Sequence, residues 1–174
     1  ENNKHVLIEK PITSISENAE ELIKLAETNK LVLMVDHTFE YTPAVNKIKE
    51  ILDNNELGKI FTIDMVRVNL GLFQKDINVV WDLAPHDISI LLFLIGKMPS
   101  SVKAEGMAYV LEDIEDDAQI TLKFDGNVRV HMHVSWLDPL KIRKTTIVGN
   151  KKMLVYDDTE KTEKVRVYDK GVTL

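Results

Sequence analysis

Ala118-Gln119-Ile120-Thr121-Leu122-Lys123-Phe124-Asp125-Gly126-Asn127-Val128-Arg129-Val130-His131-Met132-His133-Val134-Ser135-Trp136 alternates apolar and polar residues on both sides of a turn. Ala118, Ile120, Leu122 and Phe124 share one face, Asp125-Gly126 supplies the turn, and Val128, Val130, Met132, Val134 and Trp136 return. A period of two on either side of a glycine-bearing turn predicts an antiparallel hairpin with one buried face. The pattern recurs outward. Downstream, residues 142–148 and 153–156 flank a turn at Gly149-Asn150, and residues 165–168 give a last strand. Upstream, Phe61, Ile63 and Met65 share a face that Arg67 and Asn69 continue toward the strand end. Pro43 opens a helix with Ala44, Ile48, Ile51 and Leu52 on one stripe, ending near Gly58. A further helix is expected over roughly residues 85–95, closed by Gly96. This part reads as α+β, an open, largely antiparallel sheet with helices on one face.

The first third has a different rhythm. Residues 6–8 form a short apolar strand ending at Glu9-Lys10-Pro11. Ser14 and Glu17 suggest a capping box, after which Ala19, Leu22, Ile23 and Ala26 follow helical spacing. Leu31-Val32-Leu33-Met34-Val35 is a continuous apolar run, as expected for a strand buried on both faces. Strand, helix and strand make the βαβ unit of a parallel α/β sheet. Its strands end in Glu9-Lys10 and Asp36-His37, and open α/β sheets bind ligands beyond such carboxyl ends. The boundary between the two parts is placed near His37, dividing residues 1–36 from 37–174.

Composition narrows the functions available. The 174 residues carry a net charge of −6, which argues against a general nucleic-acid partner. There is no cysteine, so disulfides, thiolate metal sites and cysteine nucleophiles are excluded. The seven glycines never lie closer than ten residues apart, which excludes a glycine-rich phosphate loop within these residues. The longest apolar run, residues 90–95, is too short to span a membrane, and no secretory signal opens the chain. These features are those of a cytoplasmic chain with no membrane partner.

Two local patterns could carry chemistry. In Trp81-Asp82-Leu83-Ala84-Pro85-His86-Asp87, Asp82 lies at or just before a helix start and His86 about one turn inside it, and residues four apart share a face. The carboxylate can orient the ring and stabilise its protonated form. The alternative is that Asp82 or Asp87 caps the helix and His86 packs beneath it. At the strand end, Lys10 can reach into the crevice beside Glu9 and Pro11, or stand as an ordinary solvated lysine.

Together these motifs resemble the Gfo/Idh/MocA family of nicotinamide-dependent sugar and cyclitol oxidoreductases. The resemblance is carried by Glu9-Lys10-Pro11, by residues 37–45, by Leu57-Gly58-Lys59-Ile60 and by residues 80–96. Ser135-Trp136-Leu137-Asp138-Pro139 and Val148-Gly149 add to it. It implies that residues 1–36 end a Rossmann domain binding NAD or NADP, with the main cofactor loop upstream of Glu1. Residues 37–174 would form the substrate-binding and oligomerisation domain. Catalytic Lys10, Asp82 and His86 are implied, with Glu9, Lys10, Pro11 and His37 at the cofactor. Substrate would meet Asp82 and His86; Arg67 and Asn69, which continue the apolar face of their strand into the site end, could bind its hydroxyls or phosphates. His86 would take the hydroxyl proton while hydride leaves for the nicotinamide, Lys10 would bind the developing alkoxide, and Asp82 would orient His86 or hold a neighbouring hydroxyl. The full-length enzyme would be active and this portion alone inactive. Most similar are members acting on nucleotide-activated amino sugars, such as UDP-N-acetylglucosamine 3-dehydrogenases. Inositol or polyol dehydrogenases and non-catalytic sugar-sensing or assembly members are the alternatives. Glu40 departs from the arginine that many members carry after the aromatic. The resemblance also implies a homo-oligomer, a dimer or tetramer, formed through the open sheet.

Other features have plainer readings. His131 and His133 share a strand face without a third ligand at recognisable spacing, so no metal is expected. His37 could equally be a loop histidine, and Arg67 could form a surface ion pair. Trp81 and Trp136 read as core or interface. Five acids in the six positions 112–117 read as a solvated loop.

Overall fold

The computed structural model describes residues 3–172. The backbone separates into two units, Glu1–Thr38 and Phe39–Leu174.

In the first unit, β1 (Val6–Glu9) and β2 (Leu33–Asp36) pair in parallel, from Val6 opposite Leu33 to Glu9 opposite Asp36. Helix α1 (Ser16–Thr28) connects them. Both carboxyl ends therefore finish together, and Lys10 and His37 follow directly. Two expectations are corrected. Ser14 does not cap α1: Ile15 occupies the N-cap without a side-chain hydrogen bond, and the Glu17 carboxylate instead accepts from the Ser16 hydroxyl at 3.2 Å. Nor is the second strand buried on both faces, since Val32 is 58% exposed and Met34 39%. Val6, Ile8 and Leu33 line an apolar groove with Leu22, Leu25 and Ala26 of α1, so one face meets a helix and the other does not.

The second unit is built on a seven-stranded sheet of order β4-β5-β6-β3-β7-β8-β9. The strands are β3 (Ile60–Val68), β4 (Ser101–Met107), β5 (Asp117–Phe124), β6 (Val128–Ser135), β7 (Ile142–Gly149), β8 (Met153–Asp157) and β9 (Val165–Tyr168). Neighbours are antiparallel except β3 and β6, which are parallel. Gly126 and Asn127 close the β5–β6 hairpin with φ of 82° and 66°, the positive values a tight hairpin turn requires. Helices α2 (Pro43–Asp53) and α3 (Val79–Ile95) cover one face. Val45, Ile48 and Ile51 of α2 and Leu83, Ile90, Leu91 and Leu94 of α3 meet Ile63, Met65, Ile120, Met132 and Val134 of the sheet. Each such fully buried aliphatic side chain contributes about 1.5–3 kcal/mol. On the other face, Asp64, Val66, Gln119, Thr121, His131 and His133 are exposed or half-buried. Among the described residues, no helix is long and apolar enough to cross a membrane.

Helix α3 begins at Val79, six residues earlier than its proline suggested. Asn78 is the N-cap: its Oδ1 accepts from the Trp81 N–H at 3.1 Å, and its Nδ2 donates to Glu115 Oε2 at 2.8 Å. Neither Asp82 nor Asp87 caps the helix. Pro85 lies in the interior, where its missing N–H leaves the Trp81 carbonyl without the usual donor four residues on. The acidic run is not a uniformly solvated loop either. Glu112 and Asp113 are exposed, but Asp116 is buried and its Oδ2 accepts from the backbone of Tyr109 at 2.9 Å and Val110 at 2.7 Å.

Candidate active site

Strands β3, β4 and β6 run the same way, so residues 69–78, 108–116 and 136–141 cluster at one end of the sheet. Helix α3 starts there, which sets Asp82 in its first turn and His86 one turn further on the same face. Asp82 is half-buried, and its Oδ2 accepts from the indole N–H of Trp136 at 3.0 Å. Trp136 itself is 1% exposed, with the Phe73 ring edge-on at 5.9 Å. It is core, as its place in the alternation suggested, whereas Trp81 is 40% exposed.

His86 meets the ring of Phe39 edge-on at 5.1 Å. Phe39 lies in a short 3-10 turn, Thr38–Tyr41, and the Arg67 guanidinium stands 4.8 Å from its ring centroid. Arg67 is 3% exposed, and its Nε and Nη2 donate to Asp87 Oδ1 at 3.0 and 2.7 Å. The arginine expected at the substrate, or in a surface pair, thus forms a buried ion pair beneath Phe39. Asn69 follows β3, half-buried, its backbone N–H donating to the Ser135 carbonyl at 3.1 Å. Burial pushes the Asp87 carboxyl up, against the charge and hydrogen bonds of Arg67. Burial, with Asp158 beside it, also raises the Tyr156 hydroxyl. Asp158 is drawn upward by burial, but hydrogen bonds from Lys164 and Tyr156 and the charges of Lys164 and Arg143 hold it below the usual carboxylate value.

In the first unit, Glu9 is exposed while Lys10, Pro11 and His37 are half-buried at the strand ends. The His37 Nδ1 is buried without a hydrogen-bond partner among the described residues. The structure brings Asp82 to His86 on one helix, Arg67 to Asp87 across the core, and Lys10 toward His37 through strand register. His133 Nε2 lies 2.8 Å from Asp117 Oδ2 and His131 Nδ1 lies 3.3 Å from Thr121 Oγ1. Among the described residues no group of three or more side chains could hold a metal ion. Sequence reasoning missed the contacts of Phe39 and Trp136. An indole closing an alternating strand at the site end was the available signal for the second.

Residues 45–155 match the GFO/IDH/MocA C-terminal domain, and residues 1–37 match the oxidoreductase family's NAD-binding Rossmann fold. The chain belongs to the Gfo/Idh/MocA family of oxidoreductases. This family member is 34% identical over 111 residues to UDP-N-acetylglucosamine 3-dehydrogenase of Acidithiobacillus ferrooxidans, a match covering 62% of this chain and 34% of that protein. It is 26% identical over 177 residues to a scyllo-inositol 2-dehydrogenase (NADP(+)) of Bacillus subtilis, covering 94% of this chain and 53% of that one. A solved structure of the Acidithiobacillus enzyme superposes with a TM-score of 0.79 at 28% identity, over 97% of this chain and 54% of the other. The chain thus spans about a third to half of the length of these relatives.

Proposed function

We propose that these residues are the catalytic and substrate-binding part of an NAD(P)-dependent dehydrogenase acting on a secondary hydroxyl of a sugar or cyclitol. The observation that carries this reading is Asp82 and His86 on one face of α3, the carboxylate held by Trp136 and the imidazole packed on Phe39. In this reading residues 1–36 end the cofactor domain and residues 37–174 form the substrate domain. Glu9, Lys10, Pro11 and His37 would hold the cofactor, since they lie where parallel strands end and the His37 Nδ1 awaits a partner. The nicotinamide, when bound, would supply the acceptor for the hydride that leaves as the C–H bond of the carbinol carbon breaks. His86 takes the proton of the substrate hydroxyl, Lys10 donates a hydrogen bond to the oxygen as it becomes an alkoxide, and Asp82 orients His86 or binds a neighbouring hydroxyl. Having all three residues favours catalysis over a sensing role.

Nucleotide sugars and free inositols are both candidate substrates, because relatives of both kinds share the fold. A panel of each, assayed with NAD⁺ and NADP⁺ on the full-length protein, separates them. In the active combination His86→Asn lowers kcat by about 10²–10⁴-fold, the usual contribution of a general base. Unchanged turnover would overturn the assignment. We also propose that the protein self-associates as a dimer or tetramer through the sheet face that the two helices leave uncovered.

A further inference from the structure

We infer that Trp136 is a positioning residue for Asp82, holding its carboxylate in the orientation the reaction needs. The inference rests on the dehydrogenase reading above. An indole has one donor and no acceptor, and a donor this deeply buried needs a partner. Its partner is Asp82 Oδ2 at 3.0 Å, an acceptor whose charge strengthens the bond. The donor cannot drift. The Trp136 backbone N–H donates to the Asp116 carbonyl at 2.8 Å, and its own carbonyl accepts from Gly71 at 3.1 Å. Asp116 is pinned in turn by accepting from Tyr109 and Val110. Phe73 lies against the indole, and a Cβ at Gly71 would stand 3.0 Å from the Trp136 Cδ1. Residues of the two loops 69–78 and 108–116 therefore hold the indole.

Asp82 has particular need of such an anchor. It lies one turn from Pro85, where α3 lacks a rung of its own hydrogen-bond ladder. Fixing Oδ2 against the sheet sets the plane of the carboxylate, and with it the direction of Oδ1. The helix sets which residues share a face, and Trp136 sets how one of them is turned.

Trp136→Phe in the full-length protein keeps the buried ring and removes the N–H. We expect kcat/KM to fall roughly 10- to 100-fold, the range for losing a hydrogen bond to a charged group. In an Asp82→Ala background the same change should cost less than about twofold, because the two residues act as one unit. Equal losses in both backgrounds would overturn the inference, since a merely structural role predicts additivity. If the phenylalanine variant does not fold, the indole N–H resonance of Trp136 decides. It should move on Asp82→Ala while that of Trp81 stays, and no movement overturns the inference. A wild-type protein that reduces neither NAD⁺ nor NADP⁺ with any sugar or cyclitol of the panel would instead remove the dehydrogenase reading itself. An inactive His86→Asn alongside a wild-type Trp136→Phe would remove this inference alone.

Discussion

Arg67 and Asp87 sit under the candidate site as a buried ion pair, and their cost is borne as long as both remain. Arg67→Met leaves a carboxylate in the core without its counter-charge, and such a loss costs about 3–5 kcal/mol in unfolding free energy. Replacing both by apolar residues of similar volume should restore most of it, which chemical denaturation of the single and double variants would measure. The pH dependence has a definite sign. Burial already raises Asp87, and without Arg67 the folded state binds the proton more readily still, so the deficit of Arg67→Met relative to wild type shrinks as the pH falls. At this scale the spacing of Asp82 and His86 was legible, because a helix converts a four-residue interval into a shared face. Arg67 was legible as a residue on the helix-covered face by alternation. Its partner was not, since Asp87 lies 20 residues on in a different element.

The elements were legible where periodicity was long. The β5–β6 hairpin carries eight residues in each strand and a turn with the right chemistry, and it forms as the pattern implied. Helix α3 shows the limit. Proline near a helix start is a good local rule, yet the start here is made by Asn78, whose side chain is held by Glu115, 37 residues away. Between β7 and β9 the ladder is fastened by Asp158, which meets Lys164 at 2.9 Å and Arg143 at 3.5 Å. Its carboxyl is held below its ordinary 3.8, so the folded state binds a proton less readily than the unfolded chain. The resulting stability is complete above that value and drains away as the pH falls below it. Asp158→Asn should therefore cost about 1–3 kcal/mol near neutrality, and the gap from wild type should close in acid when thermal unfolding is followed across pH.

At the scale of the whole molecule, the prediction concerns the sheet face opposite α2 and α3. Val66 lies there in mid-sheet, opposite His133 of β6 and Lys144 of β7. Val66→Lys puts a charge at the proposed contact while leaving the helix-covered core intact. Light scattering should show a dimer or tetramer for the wild type and a monomer for the variant, with thermal stability of the domain little changed. A wild-type protein that is monomeric at micromolar concentration would overturn the proposal. Periodicity, turn chemistry and residue spacing sufficed to read a βαβ unit, an open sheet with helices on one face, and a helix bearing His86 with Asp82 at or just before its start. These are local quantities, written in neighbouring residues. Tertiary structure decided which polar atoms meet: Trp136 with Asp82 across 54 residues, Glu115 with Asn78, and Arg67 with Asp87. A hydrogen bond between distant residues depends on the register of a sheet and the seating of a helix upon it. No window along the chain contains that information, because it arises only when the layers pack.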